Sequence, residues 1–168
     1  MPARKHVLIA ISILALVSWL ALTLTQKPIA PNVDLTTLDG KQMALDSLRG
    51  KVVLVNFWAT SCPGCVSEMP ALADIYRKYQ PRGLEVVAVA MNYDPPEYVR
   101  NYAQQRNLPF TIALDTTGKA AEAFSQVKLT PTSFVIDRKG HIIQQTIGEL
   151  DFAQLKTLLE QQLGGATS

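Results

Sequence analysis

The sequence predicts an α/β domain with a central mixed sheet flanked by helices, preceded by one transmembrane helix. Three observations carry that expectation. Two apolar runs, "KVVLVNFW" and "LEVVAVAM", are each followed by a helical pattern, and strands covered on both faces read as such runs rather than as alternation. The chain closes on a strand–turn–strand pattern and an amphipathic helix, so a sheet that begins parallel turns antiparallel at its end. An uncharged stretch of 18 residues, Val7 to Leu24, stands ahead of the domain.

That stretch comes first in the chain. With 18 residues at a helical rise of about 1.5 Å it would extend about 27 Å, roughly the hydrocarbon thickness of a bilayer. A removable signal segment is the competing reading, but it needs small residues three apart before the cut. Trp19 with Ala21, or Thr23 with Thr25, fit that poorly. Residues 1–26 are therefore expected to stay as an anchor. Arg4 and Lys5 precede the run, which sets the start on the cytoplasmic side and sends the remainder across. Residues 27–32, with two prolines, read as a linker, residues 33–163 as the folded domain, and residues 164–168 as a flexible tail.

Within the domain, "VDLTTLDGKQMALDSL" alternates around Asp39-Gly40, a dipeptide suited to a hairpin. Val52 to Val55 begin the first buried strand. A helix is expected from near Cys62 to about Tyr79, with Met69, Leu72, Ile75 and Tyr76 facing the core and Pro70 inside it. Leu84 to Met91 form the second buried strand. Asp94, Pro95 and Glu97 have the spacing of a capped helix start, with Asp94 as the cap and Arg106 near the end. "FTIAL" is a short strand and "KAAEAFSQ" a short helix. "SFVIDRKGHIIQQTIG" turns back on itself at Arg138–Gly140. Asp151 caps a last helix whose Phe152, Leu155, Leu158, Leu159 and Leu163 share a side.

Charge excludes some partners. The whole chain carries +2, and from Pro28 onward 13 basic residues face 14 acidic ones. A near-neutral domain offers no electrostatic basis for binding nucleic acid. The chemistry must lie elsewhere, and both cysteines of the chain, Cys62 and Cys65, fall in "NFWATSCPGCVSEMP".

Three readings compete for that pair. Two thiolates fill half of a tetrahedral zinc shell, with no second pair to complete it. His6 abuts the apolar run and His141 begins a strand, so neither is a natural partner, although a copper-carrying thiol pair stays open. A structural staple across two residues confers little, because loop-closure stabilisation grows with loop length. Thiol–disulfide exchange fits the position best. The pair follows a buried strand and opens a helix, where unpaired N–H groups and the helix dipole favour a thiolate. A free thiol with pKa near 8.5 is only about 3% ionised at pH 7, so the environment decides its reactivity. Cys62 is then the attacker, Cys65 the resolving thiol one turn on, and Pro63 a first-turn residue with no N–H to lose.

With these residues in view, the chain resembles the thioredoxin superfamily, and within it the membrane-anchored TlpA/ResA-like thiol–disulfide oxidoreductases. "VVLVNFWATSCPGC" is similar to the family's strand, Trp-Ala and CxxC signature, Pro70 to its helix proline, and Thr130-Pro131 to its cis-proline loop. The segment from about Asn92 to Gln126 and the N-terminal hairpin resemble the additions of this branch. There are departures: Asn56 stands where thioredoxin has a buried aspartate, Ser61 replaces a second tryptophan, and Leu129 replaces a common glycine.

The resemblance implies a thioredoxin-like fold with an N-terminal β-hairpin and an inserted strand–helix unit. It implies catalysis by Cys62 and Cys65, with Glu68 tuning or relaying protons, and no cofactor beyond the redox-active disulfide. Trp58, Pro63, Gly64, Thr130 and Pro131 are expected at the substrate-binding surface, with the Thr130 backbone turned outward to pair with an extended client. Implied partners are client proteins with cysteine pairs, such as apocytochrome c or copper-site proteins of oxidase assembly, and a DsbD-type membrane electron donor. The implied location is the inner membrane, single-pass, with the C-terminal domain in the periplasm. A dithiol oxidase and a copper metallochaperone are the alternatives. A peroxidase of the related type needs a threonine where Ala59 stands.

Overall fold

The structure is a computed structural model that describes residues 13–14, 16–20 and 27–164. The expectations for residues 1–26 and for the tail therefore fall largely outside the described residues. Among the described residues, no helix is long and apolar enough to cross a membrane.

Seven strands form one sheet: β1 Asp34–Thr37, β2 Gln42–Ala44, β3 Val52–Trp58, β4 Leu84–Ala90, β5 Thr111–Leu114, β6 Thr132–Ile136 and β7 Ile142–Ile147, in spatial order β2-β1-β5-β4-β3-β6-β7. Within residues 27–164 the α-helices are α1 Pro63–Tyr79, α2 Pro96–Gln105, α3 Lys119–Ala123 and α4 Phe152–Leu163. The centre, β5-β4-β3, is parallel. β6 and β7 add antiparallel on one side, as expected. The hairpin β1-β2 adds antiparallel on the other, through Thr36↔Leu114, so the sheet is antiparallel at both margins.

The unbroken apolar reading of β3 is correct, since all seven of its residues are buried. Its alternation divides the core in two. Val52, Leu54 and Trp58 point into a cluster with Met69, Leu72 and Ile75 of α1 and Leu155 and Leu159 of α4. Val53, Val55 and Phe57 point to the opposite face, where Phe57 meets Phe124 and Phe134 edge to face, with centroids 5.4 and 6.1 Å apart, and Phe124 tilts against Phe134 at 4.9 Å. The same alternation puts Asn56 on the α1 side.

One expectation about a helix start needs correction. Asp94 does not cap α2: Pro95 takes that position without a side-chain bond and Pro96 opens the helix. Asp94 is buried and turns its carboxylate to Thr60 instead, accepting from the backbone N–H and from Oγ1, each at 2.6 Å. Residues 28–30, within the segment read as a linker, are bonded to the domain. Ile29 bridges His141, Ala30 donates to the Gly140 carbonyl, and Ile142 donates to that of Pro28, each at 2.8 Å, so this strap lies along the start of β7. Asp151 does cap α4, accepting from Ala153 and Gln154.

Candidate active site

β3 ends at the rim of the sheet, and the chain turns through Thr60 and Ser61 into α1. Cys62 is the N-cap residue of that helix, with an extended backbone, and its Sγ accepts the N–H of Cys65 at 3.2 Å. A sulfur in this position satisfies one of the orphan donors at the helix start and lies at the positive end of the dipole. The two sulfurs are joined in a disulfide, with Cα atoms 5.3 Å apart. Cys62 is half-buried and Cys65 fully buried. Attack from outside is therefore open to one sulfur and closed to the other.

Across from the pair lies the loop before β6, where the Thr130-Pro131 peptide bond is cis. The Thr130 carbonyl oxygen is 3.5 Å from the Cys62 sulfur, and Thr130 Oγ1 lies 3.3 Å from the Tyr93 hydroxyl. Tyr93, Leu129 and Ile147 expose apolar surface, and Tyr93 and Leu129 flank this loop in space or in sequence. Thr130 is half-buried and Pro131 buried. Pro63 is exposed and Gly64 half-exposed, both on the open side of the disulfide. Trp58 differs from its expected place at the surface. It is 0% exposed, tilted against Tyr102 at 5.4 Å, so it supports the cysteine loop from beneath rather than meeting a client. The Trp58 Nε1–H has no hydrogen-bond partner.

Helical spacing alone would leave Glu68 solvated; the structure buries it to 3% exposure. One turn after Cys65, it points under the site, where Asn56 Nδ2 donates to Oε1 at 3.0 Å and the Leu150 N–H to Oε2 at 3.1 Å. Asn56 Nδ2 also donates to Ser133 Oγ at 3.0 Å. Burial pushes the Glu68 carboxyl above its ordinary value of 4.5. The two hydrogen bonds pull against that rise, and the charge of Glu149 adds to it.

Sequence reasoning had no signal for Asn56 and Leu150 as partners of Glu68, or for Ser133 as the second partner of Asn56, because they arrive from separate strands and turns. Asp94 escaped for the same reason. Among the described residues, no group of three or more His, Cys, Asp or Glu side chains is arranged to hold a metal ion.

An N-capping, half-exposed sulfur bonded to a sheltered one, beside a cis-proline loop on this sheet, defines a thiol–disulfide exchange enzyme of thioredoxin fold. Comparison with known proteins agrees. Residues 25–159 match the redoxin family. Thiol-disulfide oxidoreductase ResA of Bacillus thuringiensis subsp. konkukian is 37% identical over 132 residues, covering 79% of this chain and 75% of that one. A candidate thioredoxin from Neisseria meningitidis superposes with a TM-score of 0.76 at 38% identity, over 84% of this chain and 93% of that one. A thioredoxin-family thiol:disulfide interchange protein from Chlorobium tepidum gives 0.75 at 30% identity, over 83% and 99%. The chain belongs to the redoxin family, as a thiol–disulfide oxidoreductase of the ResA type.

Proposed function

We propose that this oxidoreductase works as a reductase of disulfides in client proteins of the cell envelope. In this reading residues 7–24 hold it in the inner membrane and the redox domain faces the periplasm. Cys62, as thiolate, attacks one sulfur of a client disulfide. A Cys62–client disulfide forms and the other client sulfur leaves as a thiolate that takes up a proton. Cys65, deprotonated with Glu68 accepting the proton, then attacks Cys62 Sγ. The Cys62–Cys65 disulfide closes and the second client thiol departs, two electrons having passed to the client. Pro63, Gly64 and Thr130 border the groove an extended client would occupy, and Pro131 shapes it. The redox-active disulfide is the only cofactor this cycle needs, and a DsbD-type membrane donor restores the dithiol.

The observation that supports the cycle is the asymmetry of the pair: Cys62 half-exposed at a helix N-cap and Cys65 sealed behind it. Names of relatives fit the chemistry, and apocytochrome c cysteines or copper-site thiols are the clients proposed. Two measurements test this. Equilibration with glutathione should place the potential below about −220 mV; a value near about −120 mV would make the protein an oxidant. Cys65→Ser should accumulate Cys62-linked clients in envelope extracts, and their absence while free Cys62 still reacts with small disulfides would remove the reductase reading.

A further inference from the structure

Glu149 is a charge near the disulfide that the cycle above does not use. It follows β7, is exposed, and has no ion-pair partner among the described residues. Its flanking residues are tied to the site. The Gly148 N–H donates to the Pro131 carbonyl at 2.8 Å, and the Leu150 N–H to Glu68 Oε2 at 3.1 Å. Held at both sides, the Glu149 side chain folds over the turn between the cysteines. A Cβ added at Gly64 would lie 2.8 Å from Glu149 Oε1 and 3.3 Å from its Cγ. Gly64 does not adopt a left-handed backbone, and the three atoms nearest to such a Cβ all belong to the Glu149 side chain.

We infer that Glu149, seated on Gly64, is a tuning residue that disfavours the Cys62 thiolate and thereby makes the dithiol more reducing. The inference rests on the reductase reading and gives it a physical source. A thiolate at Cys62 is favoured by the Cys65 N–H and by the start of α1. Opposing it are the Thr130 carbonyl oxygen at 3.5 Å, Glu149 from the β7 side, and Glu68 from below. Asp94 is engaged with Thr60. Stabilising a thiolate stabilises the reduced form and makes a pair more oxidising, so a carboxylate nearby does the reverse. Its reach into the site is visible at Glu68, whose carboxyl it pushes upward. Glu149 touches no reacting atom in this account; it acts through its field on the sulfur.

The experiment uses the full chain in mild detergent, equilibrated with glutathione at neutral and alkaline pH. Glu149→Gln should raise the reduced fraction constant by about threefold, roughly 14 mV at 29.6 mV per tenfold, growing as the thiolate fraction grows. Alkylation across pH should show Cys62 ionising at lower pH in the variant. Gly64→Ala, by pushing the carboxylate aside, should move both readouts the same way. The double variant should match the single ones rather than reach about ninefold, because both remove one interaction. Glu149→Asp, with a shorter reach, should fall between. In about 1 M salt the Glu149→Gln shift should shrink, as the field of an exposed charge is screened. No shift, an additive double variant or a salt-insensitive shift would overturn the inference. The wild-type potential alone judges the reductase reading, whereas the difference between variants judges Glu149, so the two can fail separately.

Discussion

Replacing Glu68 with alanine should destabilise the oxidised protein more at acidic than at neutral pH. The carboxyl is 3% exposed and accepts from Asn56 Nδ2 and from the Leu150 N–H. Its removal strands two buried donors, at about 1–3 kcal/mol each, and one methylene worth about 0.8 kcal/mol. Against this, the variant no longer buries a carboxylate, and that relief exists only where Glu68 is ionised. Burial raises its native pKa above the ordinary 4.5, so the native state holds the proton more tightly than the unfolded chain. Stability from this group is therefore fully present below about 4.5 and is lost as pH rises through the native value. Glu68→Ala lacks that slope. Its cost should be about 3–7 kcal/mol at the acid end and smaller at neutrality. Urea denaturation followed by tryptophan fluorescence, from about pH 4 to about pH 8, would measure it. A cost that stays flat, or that grows with pH, would refute the reasoning.

Three further outcomes follow from named contacts. Cys62→Ala should be less stable than Cys62→Ser by about 1 kcal/mol, because serine still accepts from the Cys65 N–H and caps α1; thermal melts of the two reduced variants compare them. Asp94→Ala should cost about 2–4 kcal/mol by denaturant titration and should also change the alkylation rate of Cys62, since Thr60 loses both bonds two residues before the nucleophile. Leu159→Ala, at a fully buried position of α4, should cost about 2–5 kcal/mol in the same titration while leaving the redox potential unmoved, because it removes neither a charge nor a hydrogen bond.

Legibility in the sequence followed the range of the interaction. β3 could be read because seven consecutive residues share one environment, and α4 because Asp151 bonds two N–H groups only two and three residues away. The cysteine pair was legible because strand, N-cap and helix are contiguous. Asp94 misled because its nearest neighbours, Pro95 and Glu97, form a plausible cap, while its actual partner Thr60 is 34 residues back. Burial of Trp58 depends on the parity of β3 and on Tyr102 of α2 standing opposite, which no local pattern records. The seat of Glu149 on Gly64 needs β7, the Pro131 loop and α1 in place at once.

The bridge from Ile29 to His141 also bears on how far the enzyme can travel. If the apolar run ends at Leu24 in the bilayer, only residues 25–27 remain before Pro28, whose carbonyl is already claimed by Ile142. Four chain steps span at most about 14 Å when taut. The catalytic body would ride on a short leash against the lipid headgroups, and would sweep a shallow shell above the membrane. Substrates, and whatever reduces the enzyme between turnovers, would have to meet it in that shell.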